Sequence, residues 1–325
     1  MATRTEPLRR DYAPGHPLTL RAVLVGLRHG AGDRCCRWEP DGRCWWATGT
    51  PDGPALLSLA VAPGDRTVQA QAWGAGAEWV LDGVPELLGA RDNPEEFRPI
   101  AEHGVLRTAH AAHPGLRVMR TRRVFDSFAA ACLEQRVTGK EAFYAWRRLV
   151  TRFGEPAPGP AGDPHSPAAG MWIPPTPEQW RAIPSWEWLQ AGVDQTRRSA
   201  LLGGARASQG LERTLEVSFE SADQRLRTLP GVGRWTSAEV RQRAHGDPDA
   251  FSFGDYHVAK NVSYALTGQV LDDDGCAELI ECYRGHRLRV QRLIELAGIA
   301  RPRRGPRMRL PSHTPTRQAV YRPSR

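Results

Sequence analysis

Lysine is nearly missing from these 325 residues: Lys140 and Lys260 are the only two, although Lys and Arg together number 44. Chemistry that forms a Schiff base through a lysine amine therefore has two positions to choose from. The six cysteines, Cys35, Cys36, Cys44, Cys132, Cys276 and Cys282, contain no CxxC pair. That spacing excludes a closed tetrahedral zinc site and a four-cysteine iron–sulfur cluster, and reads as reduced thiols. No long apolar run occurs either. The start, MATRTEPLRRDYAPGHP, is charged and proline-bearing, and Leu18 to Leu27 is short and broken by Arg21. Neither a secretory signal nor a membrane span is expected, so the expected location is the cytoplasm, associated with the nucleoid.

What is present is ordinary globular composition with a basic surplus. Hydrophobic residues make up 40% and charged residues 25%, with net charge +8 and a pI near 9.6. The segment 301–325 holds eight arginines and no acid, which equals the whole surplus. It is expected to be a disordered basic tail that meets phosphates or is silent.

The patterning predicts a mainly α chain with an α+β N-terminal domain. A flexible start (1–14) precedes a β-rich domain (15–112). Its expected strands are Leu18 to Leu27, Cys44 to Thr48, Ala55 to Val61 and Thr67 to Trp73, separated by turns such as Pro40-Asp41-Gly42. Trp38, Trp45, Trp46, Trp73 and Trp79 are read as core. A helical domain (113–300) follows, with helices over Val124 to Val137, Glu141 to Phe153, Trp180 to Ala191, Arg197 to Gln209 and Ala222 to Thr228. EPAPGPAGDPHSPAAG is too broken for regular structure.

Two segments carry chemistry. In Leu229-Pro-Gly-Val-Gly-Arg-Trp-Thr-Ser-Ala-Glu-Val240, one helix ends near Thr228 and another starts near Arg234, with unpartnered amides aimed outward. Such a turn grips a phosphate oxygen without reading bases. About twenty residues on, Gly246-Asp-Pro-Asp-Ala-Phe-Ser-Phe-Gly-Asp255 leads into a helix marked by Val258, Val262 and Leu266. Asp255 is then an N-cap, a catalytic carboxylate, or both.

LPGVGRWTSAEV followed by DPDAFSFGDYHVAK resembles the helix-hairpin-helix (HhH-GPD) DNA glycosylase superfamily, in its AlkA-type 3-methyladenine branch. The likeness spans roughly residues 15–300. It implies an enzyme of base excision repair that removes alkylated purines from double-stranded DNA as a monomer, with Asp255 as the catalytic aspartate. Lyase members carry a lysine where this chain has Trp235, so a monofunctional hydrolase is implied. The resemblance further implies a DNA-binding hairpin of Leu229, Gly231, Val232, Gly233, Arg234 and Thr236. Trp235, Glu239, Tyr256 and His286 fall at base-pocket positions, and Gln135 and Arg136, within LEQRVT, at the wedge that fills the gap of a flipped base. Glu239 and His286 replace expected aromatics, and Glu239 either pairs with a cationic base or faces solvent. Arg136 replaces the usual leucine. No cofactor or side-chain metal is expected, apart from a monovalent cation held by hairpin backbone carbonyls. Outside the motif, His257 is a weaker general-acid candidate, and Arg284, Arg287, Arg289 and Arg292 suggest a DNA-facing strip. The alternative is a non-catalytic helix-hairpin-helix protein that binds DNA or a lesion.

Overall fold

In the computed structural model, residues 6–62 and 67–302 are described. The first element of the described residues is a strand, β1 (Leu8–Tyr12), inside the segment expected to be flexible. It pairs antiparallel with β5 (Val68–Trp73). Between them lie α1 (Leu20–Val23), β2 (Cys36–Trp38), β3 (Cys44–Thr50) and β4 (Gly53–Val61). The sheet is antiparallel in the order β1-β5-β4-β3-β2.

Leu18 to Leu27 is not the expected strand. Leu20, Val23, Leu24 and Leu27 enter the core under the sheet, a three-and-four spacing that coils the segment into α1 and one further helical turn. A short apolar run carries both readings until its buried face is known.

The sheet is covered on both faces. Leu57, Leu59, Ala70 and Ala72 pack under α1, α2 (Ala77–Asp82) and α3 (Val84–Leu87). Residues of opposite parity, Trp45, Ala47, Leu56 and Trp73, meet Ala157, Ala161, Met171 and Ile173. The proline-rich loop therefore caps the second face, and its ends form the two-residue ribbon β6 (Glu155–Pro156) and β7 (Trp172–Ile173). All five N-terminal tryptophans are buried or packed against these cores.

The helical part divides into two cores. In chain order, α4 (Gly104–Ala112) precedes α5 (Val124–Glu134), α6 (Gly139–Phe153), α7 (Pro177–Ala182), α8 (Ser185–Gln190), α9 (Gln195–Arg206), α10 (Ser208–Glu212), α11 (Phe219–Arg227) and α12 (Arg234–Val240). Helix α5 is buried along almost its whole length, at the centre of the first core. A Cβ on Gly204 of α9 would stand 2.1 Å from Phe128, so the α5–α9 approach requires glycine there. Pro184 splits the helix expected over Trp180 to Ala191 into α7 and α8.

The second core gathers α13 (Val258–Thr267), α14 (Asp273–Leu279) and α15 (Arg287–Leu296). Phe97, Leu106, Ala109 and Leu116 also join it. The stretch from Phe97 to Leu116, α4 included, therefore packs with the C-terminal helices, although the sequence assigned most of it to the β-rich unit. No helix among the described residues is long and apolar enough to cross a membrane.

Candidate active site

The hairpin forms where the sequence places it. Helix α11 ends at Thr228, and Val232 N donates to Leu229 O to close the turn. Gly231 adopts φ +82°, and a Cβ there would lie 3.0 Å from that of Ala200. Both facts demand glycine. The amides of Gly231 and Gly233 meet no acceptor among the described residues, and Gly231, Gly233 and Arg234 are exposed.

Leu229 and Val232 instead pack into the first core and hold the turn down. Thr236 is buried, and its hydroxyl accepts from Gln135 Nε2 at 2.9 Å. The same Gln135 nitrogen donates to Gly231 O at 3.0 Å. Gln135 thus ties the end of α5 to the hairpin and does not stand free as a wedge; Thr236 is its anchor and does not face outward. Arg136 next to it is exposed at φ +55°, with no hydrogen-bond or ionic partner among the described residues.

From α12 the chain makes a further turn over Arg241 to His245 and enters the loop that delivers Asp255. Asp247 pairs with Arg241, and Asp249 with Arg287. Asp249 Oδ1 also takes the amides of Gly285 at 2.8 Å and Arg287 at 3.1 Å. Gly254 has φ +92°, with its Cβ position 3.4 Å from Trp235 Cβ. The loop therefore passes directly over the tryptophan.

Asp255 Oδ1 accepts from His257 N at 2.7 Å and Val258 N at 2.9 Å. Asp255 is thereby the side-chain cap of α13. Oδ2 has no partner among the described residues, and Asp255 and Trp235 both line a cavity of about 360 Å3. This volume lies within the usual range for ligand clefts. Its walls come from several parts of the fold: Val23 and Met119 from the core under the sheet, Phe143 from α6, Leu288 and Gln291 from α15.

Of the four residues expected in the pocket, two are there. Tyr256 is 68% exposed and outside the cavity, with Lys260 Nζ 4.2 Å above its ring. His286 packs edge-on against Phe97 at 5.6 Å and faces a different hollow. The loop carrying it is drawn away by Asp249.

Glu239 lines the cavity and does not face solvent. Its Oε2 lies 2.8 Å from Arg243, and Arg243 Nη2 lies 3.4 Å from Glu134. His29 Nδ1 closes the chain at 3.0 Å from Glu134. Burial pushes the Glu239 carboxyl above its ordinary range, with Glu134 and Asp255 adding to the rise beyond what Arg243 and Ser252 offset. Burial acts on Glu134 in the same sense, yet Arg243 and His29 hold it below the usual range.

Phe143, Arg243, Ser252 and Gln291 also line the cavity and were not singled out in the sequence, and Arg28, Arg117, Arg289 and Arg292 bring further guanidinium groups to its wall. Arg243 was within reach, since Glu239 and Arg243 stand at i and i+4. His257 is exposed and serves the cap through its backbone. The arginine strip dissolves: Arg289 is buried against Asp92, while Arg284, Arg287 and Arg292 pair with acids. The tail beyond residue 302 lies outside the described residues.

No protein-family model matches the chain. A probable bifunctional transcriptional activator/DNA repair enzyme AlkA from Mycobacterium tuberculosis is 31% identical over 150 residues, 46% of this chain and 29% of that protein. DNA-3-methyladenine glycosylase 2 from Escherichia coli is 30% identical over 179 residues, covering 54% of this chain and 60% of that one. The chain thus matches less than two thirds of the length of either relative. Among solved structures, 3-methyladenine DNA glycosylase from Archaeoglobus fulgidus superposes with a TM-score of 0.68 at 18% identity, over 90% of this chain and 98% of that chain. An 8-oxoguanine glycosylase/lyase from Clostridium acetobutylicum, bound to double-stranded DNA, gives 0.64 at 10% identity, over 90% and 95%. This chain has the fold of the 3-methyladenine and 8-oxoguanine DNA glycosylases on which it superposes, and over about half its length it is similar in sequence to the relatives named AlkA and DNA-3-methyladenine glycosylase 2.

Proposed function

We propose that the protein is a monofunctional DNA glycosylase that hydrolyses the N-glycosidic bond of alkylated purines in duplex DNA, acting as a monomer in base excision repair. The observation that carries this reading is the Asp255 carboxylate. One oxygen is fixed by the cap of α13, and the other is free at a cavity beside Trp235 and directly downstream of the hairpin.

In this reading the exposed amides at Gly231 and Gly233 and the first turn of α12 take a phosphate oxygen. Arg136 enters the base stack, and the target nucleotide turns into the cavity. The C1′–N bond breaks with its electron pair leaving on the base, which an alkylated purine accepts because it already carries positive charge. Asp255 Oδ2 stabilises the cationic sugar that develops. A water oxygen then bonds C1′, and its proton passes to Asp255 or solvent.

No lysine lines the cavity, and Lys260 is engaged with Tyr256, which favours hydrolysis over a Schiff-base route. A monovalent cation fits the hairpin as an addition. Leu229 O and Gly231 O each accept one hydrogen bond and keep a second lone pair. Those carbonyls would hold the cation, which supplies positive charge toward the phosphate. Base release from duplexes carrying single lesions, read as alkali-labile strand breaks, tests the reading. No release from any alkylated purine would refute it.

A further inference from the structure

Glu239 lies one helical turn beyond Trp235 on α12, so both side chains leave the same face and both reach the cavity. Its side chain is 10% exposed. Oε1 accepts from Ser252 Oγ at 2.7 Å and from Gln242 Nε2 at 2.9 Å, while Oε2 forms the ion pair with Arg243 Nη1 at 2.8 Å. A carboxylate offers about four lone-pair sites, and these donors fill three. The fourth, on Oε2, meets no donor among the described residues.

The surroundings keep this group an acceptor. Ser252 Oγ itself accepts from Gln242 Nε2 at 3.1 Å and Gln291 Nε2 at 3.2 Å, so its proton is directed onto Glu239. Gln291 Oε1 holds the Ser252 amide at 3.1 Å. Two carboxylates, Glu134 and Glu239, share the guanidinium of Arg243, and His29 pairs with Glu134 alone, so Glu239 has no cation to itself. Aromatic surface in the cavity is confined to Trp235 and Phe143, so stacking contributes little discrimination of its own.

Resting on the glycosylase reading, we propose that Glu239 is the specificity-determining residue of the pocket. It accepts an N–H hydrogen bond from the flipped base and selects purines that carry positive charge over neutral ones. A cationic purine presenting an amino or ring N–H supplies both the missing donor and the missing charge. A neutral base that turns a carbonyl oxygen toward Oε2 sets acceptor against acceptor and is disfavoured.

The test is binding to duplex DNA with a single 7-methylguanine, protected from hydrolysis by a 2′-fluoro sugar, against the same duplex with guanine. Wild type is expected to prefer the cationic base by at least about tenfold, as befits a charge-assisted hydrogen bond. Glu239→Gln keeps the shape and loses the charge, and should bring the ratio to within about twofold. Glu239→Asp should fall between. Excision of 3-methyladenine by Glu239→Gln should drop much more than excision of hypoxanthine. Equal preference in wild type and Glu239→Gln, or a parallel loss on both lesions, overturns the proposal.

Binding and excision separate the two claims. A cation preference abolished in Glu239→Gln, with no excision by wild type, upholds charge selection and removes only the glycosylase reading. Excision without any cation preference removes only the role of Glu239. Thermal melts accompany every variant. If Glu239→Gln melts below the assay temperature, Glu239→Asp decides, and unchanged affinity for the cationic duplex in that variant overturns the proposal.

Discussion

Replacing Asp255 by Asn and by Ala separates the two roles of one carboxylate. Oδ1 caps the start of α13 through two amides at 2.7 and 2.9 Å, while Oδ2 has no partner among the described residues and Asp255 lines the cavity. Asparagine is as good an N-cap as aspartate, so Asp255→Asn should melt with the wild type. Asp255→Ala loses the cap and about 1 kcal/mol of stability. Catalysis should divide differently. A negative charge about 4 Å from a cationic sugar is worth about 4 kcal/mol at an effective dielectric of 20. That corresponds to a loss of about a thousandfold in rate, the same for both variants. Single-turnover base release on a 3-methyladenine duplex measures it, with DNA affinity expected to stay within a few-fold because the hairpin is untouched. This division of roles is refuted if Asp255→Asn keeps turnover within about tenfold of wild type, or if Asn and Ala differ in rate as they differ in stability.

Borohydride should trap no covalent enzyme–DNA adduct, and a robust adduct on denaturing gels would show that a lysine or other amine reaches C1′ after all. Arg136→Ala should slow excision from duplex DNA much more than from single strands, because only a duplex leaves a gap to fill. Arg136→Leu should restore part of the duplex rate through bulk, and equal slowing on both substrates would point to a phosphate contact instead. Deleting residues 301–325 should weaken binding to all sequences alike and flatten its dependence on salt; an unchanged slope would mean that the segment meets no phosphate.

The hairpin and Asp255 were legible because their constraints are local. Gly231 needs φ +82°, Pro230 ends a helix, and an aspartate before Val258 caps the next. Strands β3, β4 and β5 were legible as short apolar or alternating runs between turn clusters. Leu18 to Leu27 was not, because ten apolar-rich residues fit either period until their partners are known. The pocket was half legible for a related reason. Residues on one helix keep their relative direction, so Trp235 and Glu239 go in together. Tyr256 and His286 sit outside helices, where contacts distant in sequence, such as Asp249 with Gly285 and Arg287 beside His286, go with their placement. Glu134 comes from a helix more than a hundred residues upstream, and no spacing announces its meeting with Arg243 and Glu239.

Gln135 gives the proposed interface a ruler. Its amide spans from the end of α5 to Gly231 O and Thr236 Oγ1, so the arginine beside it and the phosphate-gripping turn cannot drift independently. If the proposed reading holds, whichever phosphate the turn seizes, Arg136 comes down a fixed distance along the duplex, and the nucleotide to be extruded is chosen when the backbone is gripped, before any base is inspected. Lengthening or cutting that tether, as in Gln135→Ala, should blur which nucleotide is presented while leaving both the grip and the pocket intact.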